Sequence, residues 1–173
     1  MKRLLLLRHA KAEQADKEDH ARELTKRGRK DAAHMGAWLQ KNGFTPDLVL
    51  CSTSARTRET WALVSEELGA SVKVEFLKPL YLAPAKTIPT IIQNSEGDAR
   101  TLLMIGHNPG TEETAAALAR RAQDKDERHR FDAMMVKFPT AALAILDFDI
   151  AQWRDLKPSG GVLTNFVRPK DLD

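Results

Sequence analysis

Two histidines and two arginines, far apart in the chain, stand where apolar runs give way to polar residues. Arg8-His9 follows four leucines, Arg56 closes the stretch Ser52-Thr53-Ser54-Ala55-Arg56, and His107 lies in Gly106-His107-Asn108-Pro109-Gly110. This set suits a phosphoryl group. A guanidinium is always charged and its planar fork pairs two phosphate oxygens at once. A neutral imidazole can attack phosphorus, and a protonated one can donate to an oxygen as charge builds there. A helix opening at Ser54 or Asn108 would add free backbone N–H groups for the same anion.

The elements that must position these residues follow from the hydrophobic pattern. Lys2 to Leu7 reads as a strand. Thr25 caps a helix to about Lys41, with Ala32, Met35, Gly36 and Leu39 on one face and Asn42-Gly43 as its stop. Leu48 to Cys51 is a second strand, and Ser54 caps a helix whose Thr57, Trp61, Val64 and Leu68 share a face until Gly69. Val72 to Phe76 is a third strand, Leu77 to Pro84 a loop, and Thr87 to Asn94 a short helix with Pro89 in its first turn. Thr101 to Ile105 is the fourth strand, after which Asn108 caps and Pro109 opens a helix to about Arg121. The mixed-charge run Asp124 to Arg130 reads as a solvated loop. Ala142 to Phe148 and Val162 to Arg168 are β-rich and close together.

Alternating strands and helices predict an α/β fold of three layers, α/β/α, whose central sheet is mostly parallel with at least one antiparallel edge strand. In such folds ligands bind outside the carboxyl ends of strands. Arg8-His9, Ser52 to Arg56 and Gly106 to Gly110 all follow predicted strands, so they are expected to face one crevice.

The totals narrow the function classes. With 173 residues and 42% hydrophobic content, the chain fits one compact domain over 1–173. A net charge of +3, from 27 basic against 24 acidic residues, lacks the concentrated basic face of a nucleic-acid binder. The apolar run Leu4 to Leu7 is too short for a signal peptide, no stretch reaches the length of a membrane span, and Cys51 is the sole cysteine. These features predict a cytoplasmic protein. His20, His34 and His129 occur without metal-ligand spacing, so no metal is expected, and the lack of Walker or G-x-G-x-x-G sequences predicts no nucleotide cofactor. Cys51 precedes Arg56 by five positions, one fewer than in a cysteine-nucleophile phosphate loop, and reads as a buried small hydrophobe, as Trp61 reads as helix core.

Taken together, "LLLLRHAK", "STSARTRET" and "MIGHNPG" resemble the histidine phosphatase superfamily, in its branch of small bacterial phosphohistidine phosphatases of the SixA type. The likeness extends through "ELTKRGRKDA", "PDLVLCS", "KFPTAALAILDFD" and "FVRPKDL". It implies a phosphoglycerate-mutase-like fold in which His9 is the nucleophile and Arg8, Arg56 and His107 hold the phosphoryl oxygens. Lys11 adds charge, and Ser52 and Asn108 complete the phosphate-binding set. The implied chemistry is in-line attack by neutral His9, giving a phosphohistidine enzyme, followed by hydrolysis. One ring nitrogen of His9 must be free, so the other should donate to a backbone carbonyl.

The chain departs from the wider superfamily twice. Ala10 stands where glycine usually follows Arg-His, which requires a negative φ there. Many members carry a proton-donating glutamate in the loop after the third strand, whereas residues 77–86 read "LKPLYLAPAK" without a carboxylate. General-acid help is commonly worth about 10²–10⁴-fold, so its absence disfavours alkyl phosphates and favours phosphohistidine, whose protonated ring leaves as a neutral group. Glu13, Asp16, Glu18 or Asp19 of the first loop could still supply a proton. The resemblance points to a phosphohistidine-containing protein of a phosphorelay or sugar phosphotransferase system as partner, with phosphate or a similar oxyanion in the site. The alternatives are a phosphatase of small phosphate esters or phosphoramidates, and a phosphoprotein-binding module without turnover.

Overall fold

The computed structural model describes residues 1–14 and 18–173. Six strands form one sheet: β1 (Lys2–Arg8), β2 (Leu48–Ser52), β3 (Lys73–Leu77), β4 (Thr101–Gly106), β5 (Leu143–Phe148) and β6 (Gly161–Val167). Their spatial order is β3-β2-β4-β1-β5-β6. The first four are parallel; β5 runs antiparallel to β1, and β6 antiparallel to β5 at the edge. Five α-helices flank them: α1 (Lys26–Lys41), α2 (Ala55–Leu68), α3 (Thr87–Gln93), α4 (Gly110–Leu118) and α5 (Lys125–Val136). This is the expected three-layer α/β/α fold of the phosphoglycerate-mutase-like type.

The opening leucines are all apolar because β1 is covered on both faces. Leu4 and Leu6 join a core with Ile88, Ile92, Ala115, Leu118, Met134 and Phe138, on the side of α3, α4 and α5. Leu5 and Leu7 point the other way, into a core with Met35, Leu39, Trp61, Val64 and Leu68 of α1 and α2. Fully burying a leucine contributes about 2 kcal/mol, so neither side of the strand tolerates a polar residue cheaply. The first two helices start as the sequence predicts. Thr25 accepts from the Gly28 N–H and Ser54 from the Thr57 N–H, the usual N-cap bonds.

Two glycines let helices approach the loops that carry the polar residues. A Cβ at Gly28 would lie 2.1 Å from the Lys11 carbonyl oxygen, and one at Gly110 would lie 2.0 Å from that of Ala83. Ala10 needs no glycine: its φ is not positive, and its methyl is buried with Leu24, Ala32 and Ala141.

Four sequence expectations are corrected. Asp124 to Arg130 is not a loop; Asp124 caps α5 by accepting from the Glu127 N–H at 2.8 Å, and Met134 and Phe131 anchor that helix to the core. The charges misled because a helix with a solvated face carries them equally well. The helix after β4 ends at Leu118, not near Arg121, because Ala119 is extended and the Arg120 N–H donates to Gly161 at 2.7 Å. That helix opens at Gly110 after Pro109, and Asn108 serves it one turn in, accepting from the Glu112 N–H at 3.2 Å. The third strand occupies Lys73–Leu77, and a 3₁₀ turn at Lys78–Leu80 begins the following loop.

Candidate active site

The carboxyl ends of β1, β2 and β4 lie side by side in the sheet. Arg8 and His9 leave β1, Ser52 ends β2 with Arg56 on the first turn of α2, and His107 follows β4. Hydrogen bonds hold this edge together. The His9 N–H donates to Gly106 at 3.0 Å, and the Ala141 N–H donates to the carbonyls of Arg8 and His9. The Ala10 N–H donates to Thr60 Oγ1 at 3.1 Å, and that hydroxyl donates to the Arg56 carbonyl at 2.7 Å, linking the end of β1 to α2.

His9 and His107 face each other with ring centroids 5.3 Å apart. His9 is 8% exposed, and its Nδ1 lies 2.7 Å from its neighbour's carbonyl oxygen, Ala10 O. Since a carbonyl only accepts, Nδ1 carries the proton and Nε2 keeps its lone pair. Burial, reinforced by the cations of Arg56, Arg8 and Arg22, holds the His9 pKa down at about 4, against the opposing pull of the Ala10 carbonyl. The His107 tautomer is equally determined. Arg56 Nη2 donates to its Nδ1 at 3.3 Å, so Nε2 carries the hydrogen and donates to Ser52 Oγ at 2.7 Å. Burial first, then His9 and Arg56, push the His107 pKa to about 3. Both rings are neutral at neutral pH.

Arg56 is 2% exposed, a burial that a guanidinium rarely accepts without acceptors around it. Its Nη1 donates to the Asp19 carbonyl at 2.8 Å and its Nη2 to Asp19 Oδ2 at 3.1 Å. Arg8 Nη1 donates to the Phe138 carbonyl at 3.0 Å. The buried Nε groups of Arg8 and Arg56 have no hydrogen-bond partner among the described residues. Two buried, charged N–H donors beside two neutral imidazoles make a site for an oxyanion.

The structure thus brings together Arg8, His9, Ser52, Arg56 and His107. It does not gather the whole predicted set. Lys11 is exposed, and Asn108 turns its amide to the Phe138 carbonyl at 3.0 Å and to Glu112 at 3.2 Å. Of the first-loop carboxylates, Asp16 lies outside the described residues. Glu13 and Glu18 are exposed, whereas Asp19 sits on Arg56.

Sequence reasoning missed four neighbours. Arg22 binds Asp19 Oδ1 through Nε at 3.1 Å and the Glu13 carbonyl through Nη1 at 3.1 Å. Tyr81 donates its hydroxyl to Asp19 Oδ2, and its ring stands edge-on to His107 at 5.4 Å. His20, expected to be a bland loop residue, packs 4.8 Å from Tyr81 and hydrogen-bonds Thr53 Oγ1 at 2.9 Å. Thr60 Oγ1 accepts the Ala10 N–H at 3.1 Å. Two signals were present: Tyr81 is the chain's only tyrosine, and Thr60 is a polar residue on the apolar face of α2. Cys51 is the buried hydrophobe expected, its thiol pushed up to about 12 chiefly by burial. Among the described residues no group of three or more potential ligands could hold a metal, and no helix is long and apolar enough to cross a membrane.

Comparison with known proteins gives the chain's family. The family model of the histidine phosphatase superfamily (branch 1) matches residues 4–80, which carry the β1 and β2 strand ends. The chain is 34% identical over 165 residues to the uncharacterized protein Rv1276c of Mycobacterium tuberculosis, covering 95% of this chain and 100% of that one. Two solved structures named "putative phosphohistidine phosphatase SixA" superpose over nearly the full length. The one from Nakamurella multipartitia has a TM-score of 0.82 at 32% identity, covering 97% of this chain and 96% of that one. The one from Agrobacterium tumefaciens has 0.79 at 28% identity, covering 97% and 98%. On its sequence and its fold, the chain belongs to the histidine phosphatase superfamily, as a SixA-like phosphatase.

Proposed function

We propose that this protein removes the phosphoryl group from phosphohistidine carried by another protein, through a covalent phosphohistidine on His9. One observation carries the reading: His9 is a buried, neutral imidazole with its proton fixed on Nδ1, flanked by Arg8 and Arg56, whose buried Nε groups have no hydrogen-bond partner among the described residues. The free Nε2 lone pair attacks phosphorus, and the P–N bond of the substrate breaks on the opposite side. The His9 ring then carries Nδ1–H and Nε2–P, so it leaves as a neutral imidazole when water attacks, with no further proton needed. Arg8 and Arg56 place positive charge where the equatorial oxygens carry developing negative charge, the largest source of rate in phosphoryl transfer. His107, positioned by Ser52, lies beside His9 in the same site.

The choice of substrate rests on the leaving group. The 77–86 loop lacks a carboxylate, and Asp19, the first-loop acid that rests on Arg56, has its pKa held at about 2 by Tyr81, Arg56 and Arg22. An ionised carboxylate cannot protonate an alkoxide, whereas a phosphohistidine ring already protonated by solvent needs no acid. The SixA names of the two solved relatives agree with this reading. A phosphorelay or phosphotransferase protein in the cytoplasm is the expected partner.

The test is to incubate wild type and His9→Ala with a histidine-phosphorylated protein in chelator and follow phosphate release and enzyme-bound label. Wild type should release phosphate through an acid-labile phosphoenzyme, and His9→Ala should form none. Equal dephosphorylation by both would end the proposal.

A further inference from the structure

Asp19 lies on the solvent side of the cluster formed by His9, Arg56 and His107. Its side chain is 45% exposed, against 2% for Arg56, on which it rests. Around it stand Tyr81 and His20, whose rings lie 4.8 Å apart, with Tyr81 also 5.4 Å from His107. The carboxylate is fully engaged: Oδ1 accepts from Arg22, and Oδ2 accepts from Arg56 and Tyr81. Arg56 and Arg22 are also the cations a phosphoryl group would recruit. When phosphoryl oxygens take over those donors, Asp19 keeps Tyr81 and regains lone pairs facing whatever group the phosphorus carries.

We propose that Asp19 is a specificity determinant, whose carboxylate accepts the ring N–H of a phosphohistidine leaving group and so favours nitrogen-linked phosphoryl groups over phosphate esters. The proposal rests on the phosphohistidine reading above.

The chemistry balances without an acid. A phosphohistidine ring in its reactive form carries phosphorus on one nitrogen and a proton on the other, and is a cation. As the His9 Nε2–P bond forms, the substrate P–N bond breaks and its electron pair returns to the ring nitrogen. The remote proton stays where it was, and neutral imidazole departs. A carboxylate at the rim can reach that remote N–H, which lies farther from phosphorus than an ester oxygen. Asp19 suits this role because it is ionised.

The same carboxylate does the reverse for an ester. With no cationic leaving group to accept, it only competes with the phosphoryl oxygens for Arg56 and repels them. Because the interaction with the ring cation exists before the transition state, its loss should appear mainly in KM.

Steady-state kinetics on a histidine-phosphorylated peptide and on p-nitrophenyl phosphate test this. In Asp19→Asn, KM for the peptide should rise about tenfold or more, the usual worth of a hydrogen bond to a charged group, while KM for p-nitrophenyl phosphate falls. Asp19→Glu should restore part of the peptide KM. Tyr81→Phe, which keeps the charge and loses its tether, should shift both values in the same opposed directions by a smaller factor, and it serves if Asp19→Asn does not fold. Parallel movement of both KM values, or an unchanged peptide KM in an enzyme that still cleaves the peptide, would overturn this proposal alone. A wild type that turns over p-nitrophenyl phosphate but not the peptide would overturn the phosphohistidine reading and this proposal with it.

Discussion

Lowering the pH from 7 to 4 should destabilise this fold through the two imidazoles that equip its crevice. His9 has an ordinary pKa of 6.5 in the unfolded chain and about 4 in the folded one. Between those values the unfolded chain binds a proton that the folded chain refuses. The stability associated with neutral His9 is therefore present above about pH 6.5 and lost as the pH falls through about 4. At about 1.4 kcal/mol per pH unit, the loss is about 3 kcal/mol. That is a large share of the roughly 5–15 kcal/mol that holds a domain of this kind together. His107, pushed to about 3, acts in the same sense, and at 5.3 Å the two rings titrate as a pair. Urea unfolding of wild type and His9→Asn at pH 7, 5.5 and 4 isolates the His9 contribution. The stability difference between the two should shift by about 3 kcal/mol in favour of the variant as the pH falls. Inorganic phosphate should flatten the wild-type profile, because a dianion beside the rings raises both pKa values. A difference that stays constant across this range would refute the assignment of His9 as a buried neutral base.

Other perturbations follow from single contacts. Arg56→Lys keeps the charge but loses the fork that reaches His107 and Asp19, and kcat/KM for phosphoryl release should drop about 10²–10³-fold in steady-state kinetics. Gly28→Ala places a methyl 2.1 Å from the Lys11 carbonyl oxygen, two residues from His9. Chemical denaturation should show a loss of about 1–3 kcal/mol, and activity should fall with it. Thr60→Val leaves the buried Ala10 N–H without its acceptor; the expected cost is about 1–3 kcal/mol in urea unfolding, with faster amide exchange at Ala10.

Much of the architecture was legible because its signals are local. The all-leucine β1, the Thr25 and Ser54 caps and the alternation of strands with helices each depend on a few neighbouring residues. The rule that ligands sit at carboxyl strand ends then assigns Arg8, His9, Arg56 and His107 to one edge from the sequence alone. The α5 helix escaped notice because its charges suit a loop and a solvated helix face alike. Its identity depends on Met134 and Phe131 meeting a core built from distant strands.

Only the tertiary structure decided the electrostatic state of the crevice. Residue identity says that His9 can be a nucleophile, but its low pKa comes from burial at the end of β1 and from arginines that lie at its side only in the fold. The first loop carries several carboxylates with no local mark to distinguish them. Asp19 alone among the described ones reaches Arg56, because Arg22 and Tyr81 fix it there from two directions. Periodicity and caps are written in short stretches of chain, so sequence determines them. Charge state and hydrogen-bond partnership depend on what lies within a few ångströms in space, and only folding sets that.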